Sequence, residues 1–139
     1  MIILDTNVIS EPMKLNANPA VVAWLDQQVA ETLYLTATSL AELLVGIEVL
    51  PVGKRKEGLD AALAELVSRL FGSRVLPFDH HAAMAYARLV NRARTSGRII
   101  SVAAGQIAAI AAVHGFTVAT RDTEPFVATG VSVINPWEV

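Results

Sequence analysis

Three carboxylates stand just beyond runs of strand-forming residues. Ile2, Ile3 and Leu4 lead into Asp5, Thr6 and Asn7; Leu33, Tyr34 and Leu35 lead into Thr36-Ala37-Thr38-Ser39, with Glu42 one helical turn on; Phe116 to Ala119 leads into Thr120-Arg121-Asp122. In open α/β sheets ligands bind outside the carboxyl ends of the strands. If these strands are parallel, Asp5, Glu42 and Asp122 converge at one edge. Two like charges about 4 Å apart repel by roughly 4 kcal/mol at an effective dielectric of 20, so such a cluster calls for a cation or for shared protons. The chain has no cysteine, which leaves oxygen and imidazole ligands, and a hard cation such as magnesium or manganese suits these carboxylates. Each acid also has a plain structural role open to it. Asp5 can cap a following helix, Glu42 can close a capping box begun by Ser39, and Asp122 can be a turn residue. His80, His81 and His114 share no metal-ligand spacing, and the adjacent pair faces two sides of a helix.

The elements that must position these residues alternate. Asn18-Pro19 starts a helix through about Gln28, with proline at its first position. Leu33 to Leu35 reads as a strand. A helix capped by Ser39 carries Leu40, Leu43, Leu44 and Ile47 to Pro51 and Gly53, and Lys54, Arg55 and Lys56 fall in the turn beyond it. Leu59, Leu63, Leu66, Val67 and Leu70 mark the next helix, ended by Gly72 before a strand at Val75-Leu76. Asp79 caps a helix from His80 to about Thr95, and Ser101 caps an Ala-rich helix to about His114, which Gly115 ends. Strands at Phe116–Ala119 and Val131–Ile134 complete the order. Alternation of this kind predicts a three-layer α/β/α domain with a mainly parallel central sheet.

Composition bounds the function. A length of 139 residues suits one domain spanning 1–139. With 53% hydrophobic and 17% charged residues, the surface is more apolar than average, which points to a homodimer. No apolar run reaches the ~18 residues of a membrane span, and the N-terminus has no secretory leader pattern, so the expected location is cytoplasmic. A formal net charge of -2 gives no whole-chain nucleic-acid footprint. Local cations, Arg121 and the Lys54, Arg55, Lys56 group, remain candidates for holding an anionic strand.

Taken together, Met1 to Pro12 with its Asp5-Thr6-Asn7, Ser39-Leu-Ala-Glu42-Leu43, Val118-Ala-Thr120-Arg121-Asp122 and Asn135-Pro136-Trp137 resemble the PIN-domain toxins of bacterial VapBC systems, in particular the FitB-like branch. The resemblance covers essentially the whole chain. It implies a PIN-like fold and a small magnesium-dependent ribonuclease that dimerises and is silenced by a cognate, VapB-like antitoxin. It also implies Asp5, Glu42 and Asp122 as metal-site carboxylates, and Thr6, Asn7 and Thr120 as supporting groups.

One departure stands inside the motif. Where this family carries an aspartate in the helix following Ser101, the chain has Ala104. A methyl group cannot ligate a hard cation, and its presence also removes an acid from the first turn of a helix, where Ser101 would be its capping partner. Impaired cleavage is the expected result, whether the alanine was introduced to tame a toxic nuclease or arose naturally. Two functions follow: metal-assisted hydrolysis of RNA by an impaired enzyme, or an inactive scaffold that dimerises and binds an antitoxin. An aspartate nucleophile of the phosphatase type fits poorly, because Asn7 stands where such enzymes place a second acid, and no glycine-rich phosphate loop is present.

Overall fold

The computed structural model describes all residues, Met1–Val139. Five short strands, β1 (Ile2–Leu4), β2 (Leu33–Thr36), β3 (Val75–Leu76), β4 (Thr117–Ala119) and β5 (Val133–Ile134), form one sheet in the order β3-β2-β1-β4-β5. Every pairing is parallel, with Ile2 opposite both Leu33 and Thr117, and Leu4 opposite Ala119. From β1 the chain builds outward through β2 and β3, then returns to the other side of β1 for β4 and β5. The strand order therefore reverses between β1 and β4, which is where open α/β sheets leave a crevice for ligands.

Alternation along the strands sorts the core into two layers. Leu4, Leu33, Leu35 and Ala119 face Val8, Ile9, Trp24, Leu43, Ile47, Leu63 and Phe71 on one side. Ile3 and Val118 face Ala82, Ala85, Ile107, Ala108, Ile110 and Phe126 on the other. Helices α1 (Thr6–Ser10), α2 (Pro19–Asp26), α3 (Ala37–Glu48) and α4 (Lys54–Leu66) cover the first face; α5 (His80–Thr95), α6 (Val102–His114) and α7 (Glu124–Thr129) cover the second. No helix is long and apolar enough to cross a membrane.

The three-layer parallel architecture is as expected, and the differences are local. Helix α3 begins three residues earlier than a Ser39 cap would place it, because Thr36 is its cap: the Ser39 amide donates to Thr36 Oγ1 at 3.0 Å. Lys54, Arg55 and Lys56 form the first turn of α4 instead of a turn before it, and α4 runs into a π-helical turn, Val67–Phe71, before Gly72 at φ 54°. Phe116 precedes its strand, β5 starts only at Val133, and the six-residue α7 was not anticipated.

Candidate active site at the β1 and β4 strand ends

Asp5 follows β1 directly, and its own amide donates to the Ala119 carbonyl at 2.9 Å, so it is fixed across the β1–β4 crevice by the sheet itself. Its side chain is buried. Oδ1 accepts from the Thr6 amide at 2.8 Å and Oδ2 accepts from the Thr120 hydroxyl at 2.8 Å. Thr120, fully buried after β4, uses its whole capacity. Besides donating to Asp5, its oxygen accepts from the Asp122 amide at 3.0 Å and from Asn7 Nδ2 at 3.4 Å. Asn7 returns the link, its Oδ1 accepting from the Arg121 amide at 3.2 Å. Thr6, meanwhile, donates its hydroxyl to Glu42 Oε1 at 2.7 Å.

The capping-box role of Glu42 is thus overturned, since Thr36 does the capping. Glu42 is exposed on α3 and held toward Asp5 by Thr6. Asp122 is exposed in the turn after β4. Burial pushes the Asp5 carboxyl above its ordinary range, opposed by the hydrogen bonds from Thr120 and Thr6, and the Glu42 and Asp122 charges push it further up. Both acids are close enough for their fields to reach it, yet nowhere do three carboxylate or imidazole groups stand close enough together to enclose a metal ion. The expected cluster is therefore one buried acid and two exposed ones, Glu42 linked to Asp5 through Thr6, and Asp122 only through its backbone amide on Thr120.

These residues fit a hard cation in one particular manner. All donors are oxygen, the central acid is buried beside two like charges and no cation neutralises it, and magnesium typically keeps several waters while taking only one or two carboxylates. A hydrated ion on Asp5 is compatible with this spacing; a closed protein cage is not.

Ala104 lies in the first turn of α6, half-buried against the second core. Thr38 Oγ1 donates to Gln106 Oε1 at 2.9 Å, tying this turn to the start of α3. The first turn of α6 carries no acidic partner for Ser101, as expected, yet half of the cap remains, because the Ala104 amide donates to Ser101 Oγ at 3.1 Å. The Ser101 cap needs only a backbone N–H, which alanine supplies.

The basic candidates separate. Lys54 and Arg55 line a groove of about 980 Å³ between α1, α3 and α4, whose walls include Thr6 and Glu42 and whose floor includes Leu43, Ile47, Leu59 and Leu63. Lys56 instead donates to the Glu48 carbonyl at 2.9 Å and borders a separate hollow with Asp60. Arg121 is exposed beside Asp122, with its guanidinium over Trp137 at 5.3 Å from the ring centroid. Sequence reasoning missed this stack and the buried Glu11, whose Oε2 accepts from the Asn18 amide at 2.9 Å and whose Oε1 pairs with Lys14 at 3.0 Å. Lysine three residues after Glu11 was the available signal for the pair; nothing local announced the stack.

A family model for the PIN domain matches residues 2–131. The chain belongs to the PIN-domain family. Among its PIN-domain relatives, the VapC ribonuclease Y4jK of Sinorhizobium fredii is 52% identical over 138 residues, covering 99% of each chain. Toxin FitB of Neisseria gonorrhoeae is 49% identical over 137 residues, again covering 99% of both. The crystal structure of FitAcB from Neisseria gonorrhoeae superimposes with a TM-score of 0.96 at 48% identity, covering the whole of both chains. This PIN domain therefore belongs with the VapC and FitB toxins.

Proposed function

We propose that this chain is the toxin of a VapBC-type pair built on a magnesium-dependent endoribonuclease site, impaired by Ala104. The carrying observation is the buried Asp5 at the β1–β4 crevice, bonded to Thr6 and Thr120 and raised in pKa by burial, with Glu42 and Asp122 adding to it. Asp5 would hold the divalent cation, with Glu42 and Asp122 reaching it directly or through water. When bound, such an ion lowers the pKa of water and stabilises charge on a phosphodiester. The chain's own part is positional. Thr120 and the Thr6 amide fix both oxygens of Asp5, Thr6 turns Glu42 inward, and Asn7 ties the β1 end to the β4 turn.

The deciding experiment is Ala104→Asp, with RNA cleavage measured with and without magnesium. A ligand worth about 3–4 kcal/mol to the transition state predicts a gain of about 10² to 10³ in rate. Equal metal-dependent cleavage by both proteins would remove Ala104 from the site.

Its partner would be an antitoxin, as the solved relative pairs FitA with FitB. The groove between α1, α3 and α4 has an apolar floor and ends at Glu42 and Thr6. An amphipathic helix laid there could point an arginine at the acids, taking the place of a cation through two-pronged pairing. Ala104 specifically favours a second reading, an inactive scaffold that keeps only this binding. Co-expression with the neighbouring upstream reading frame and purification through one tag tests the partner; no complex at physiological salt would refute it.

A further inference from the structure

Trp137 packs against the first core, and the Arg121 guanidinium covers its ring. Trp137 is half-buried and Arg121 exposed, so the guanidinium is the outer layer of the stack. Its backbone is anchored on Asn7, the same residue that bonds Thr120, so the stack and Asp5 belong to one hydrogen-bonded unit. Arg121 is in none of the chain's ion pairs, and the neighbouring Glu11 is already engaged by Lys14 and Asn18. A planar cation thus lies over an indole, exposed to solvent and next in sequence to Asp122.

We propose that the Trp137–Arg121 stack is a platform for one unpaired nucleobase of the strand being cut, holding it beside the phosphodiester that the acids address. This rests on the ribonuclease reading above and assigns that site a single-stranded substrate. Splayed-out bases are held on aromatic rings and arginine planes, whatever their identity, because every base has a π-face. A simple phosphate contact would need only charge, which lysine supplies equally; a platform needs the plane, which lysine lacks.

Binding without added metal, in the presence of a chelator, tests this on the chain as it stands. A fluorescein-labelled short single-stranded RNA is titrated by anisotropy against the unsubstituted protein, Arg121→Lys, Trp137→Ala and Trp137→Phe. One base–stacking contact predicts a weakening of about five- to 150-fold for Arg121→Lys and Trp137→Ala, with Trp137→Phe recovering most of it; circular dichroism confirms that each variant is folded. An RNA abasic at one position should bind the unsubstituted chain as weakly as intact RNA binds Arg121→Lys. Trp24 and Trp137 are the chain's two tryptophans, so in a Trp24→Phe background the remaining emission should quench saturably as RNA is added. Should Arg121→Lys and the abasic RNA both bind as tightly as the originals, the platform is overturned while the ribonuclease reading stands. Should neither the unsubstituted chain nor Ala104→Asp bind RNA at all, the ribonuclease reading falls, and the platform with it.

Discussion

Thr120 shows how much one hydroxyl can organise. It donates to Asp5 and accepts from Asn7 and Asp122, so replacing it by valine removes three contacts while keeping the shape. Leaving a buried carboxylate oxygen unsatisfied costs about 1–3 kcal/mol; Thr120→Val should lower the melting temperature accordingly, and Thr120→Ser should restore it. Asp5→Asn works in the opposite sense. Asparagine can accept from the Thr6 amide and, by displacing the 3.4 Å contact from Asn7, donate to Thr120, yet carries no charge between Glu42 and Asp122. Metal-free protein should gain about 0.5–2 kcal/mol, as expected where function holds a strained group, and cleavage in the Ala104→Asp background should vanish. The pH dependence has a definite sign. Because folding raises the Asp5 pKa above its ordinary 3.8, its contribution to stability is fully present below that value and is lost as pH rises through the raised one. Melts of the two proteins across the acid range should therefore diverge as pH increases; a constant difference would mean that the charge is not the cause. Glu11 titrates oppositely, its carboxyl held below 4.5 chiefly by the Asn18 amide, so its contribution fades as pH falls through the lowered value.

At the scale of the elements, the packing of α5 on α6 depends on a missing side chain. A Cβ at Gly105 would come within 2.7 Å of the Tyr86 ring. Gly105→Ala should cost about 1–3 kcal/mol by overpacking, measurable as a drop in denaturation midpoint with unchanged slope. Several of these elements were legible beforehand. The helix from Asp79 and the helix from Ser101 declare their caps in sequence, and both side chains do accept from the amide three residues on. Thr36 was not legible as the cap of α3, because Thr36, Thr38 and Ser39 are all plausible caps and only the end of β2 decides among them. The start of α4 was hidden by Gly53 and three cations that read as a turn. Helix α7 is short and contains proline, giving too few positions for periodicity to show. For the site, the strand-end acids could be read from pattern alone, since three aliphatic residues before Asp5 dictate its burial. The stack of Arg121 on Trp137 could not, because it depends on where two separate loops end.

For the whole molecule, the apolar surface needs an occupant. Leu44, Val45, Val49 and Val52 are exposed around the end of α3, and Met84 is exposed on α5. Val45, Val49 and Met84 lie in the apolar segments Val45 to Leu50 and Met84 to Val90, which we propose as the homodimer interface, and two copies joined there would set their acidic sites along one groove. Sedimentation at micromolar concentration should give a dimer, and Val45→Glu with Val49→Glu should give a folded monomer; a monomeric unsubstituted chain would contradict the interface. The strand order bears on timing as well. Residues 2–4 find their β4 partners only at 117–119, and Thr120 and Asp122 follow that strand. A chain emerging from the ribosome can pair β1 with β2 early, yet Asp5 stays open to solvent until nearly the whole polypeptide has been made. Domains fold as units while synthesis proceeds, and pairings this distant in sequence form late. On the ribonuclease reading, a site assembled in this order would be incomplete while its own messenger is being translated, and the proposed antitoxin would have until release of the finished chain to reach it.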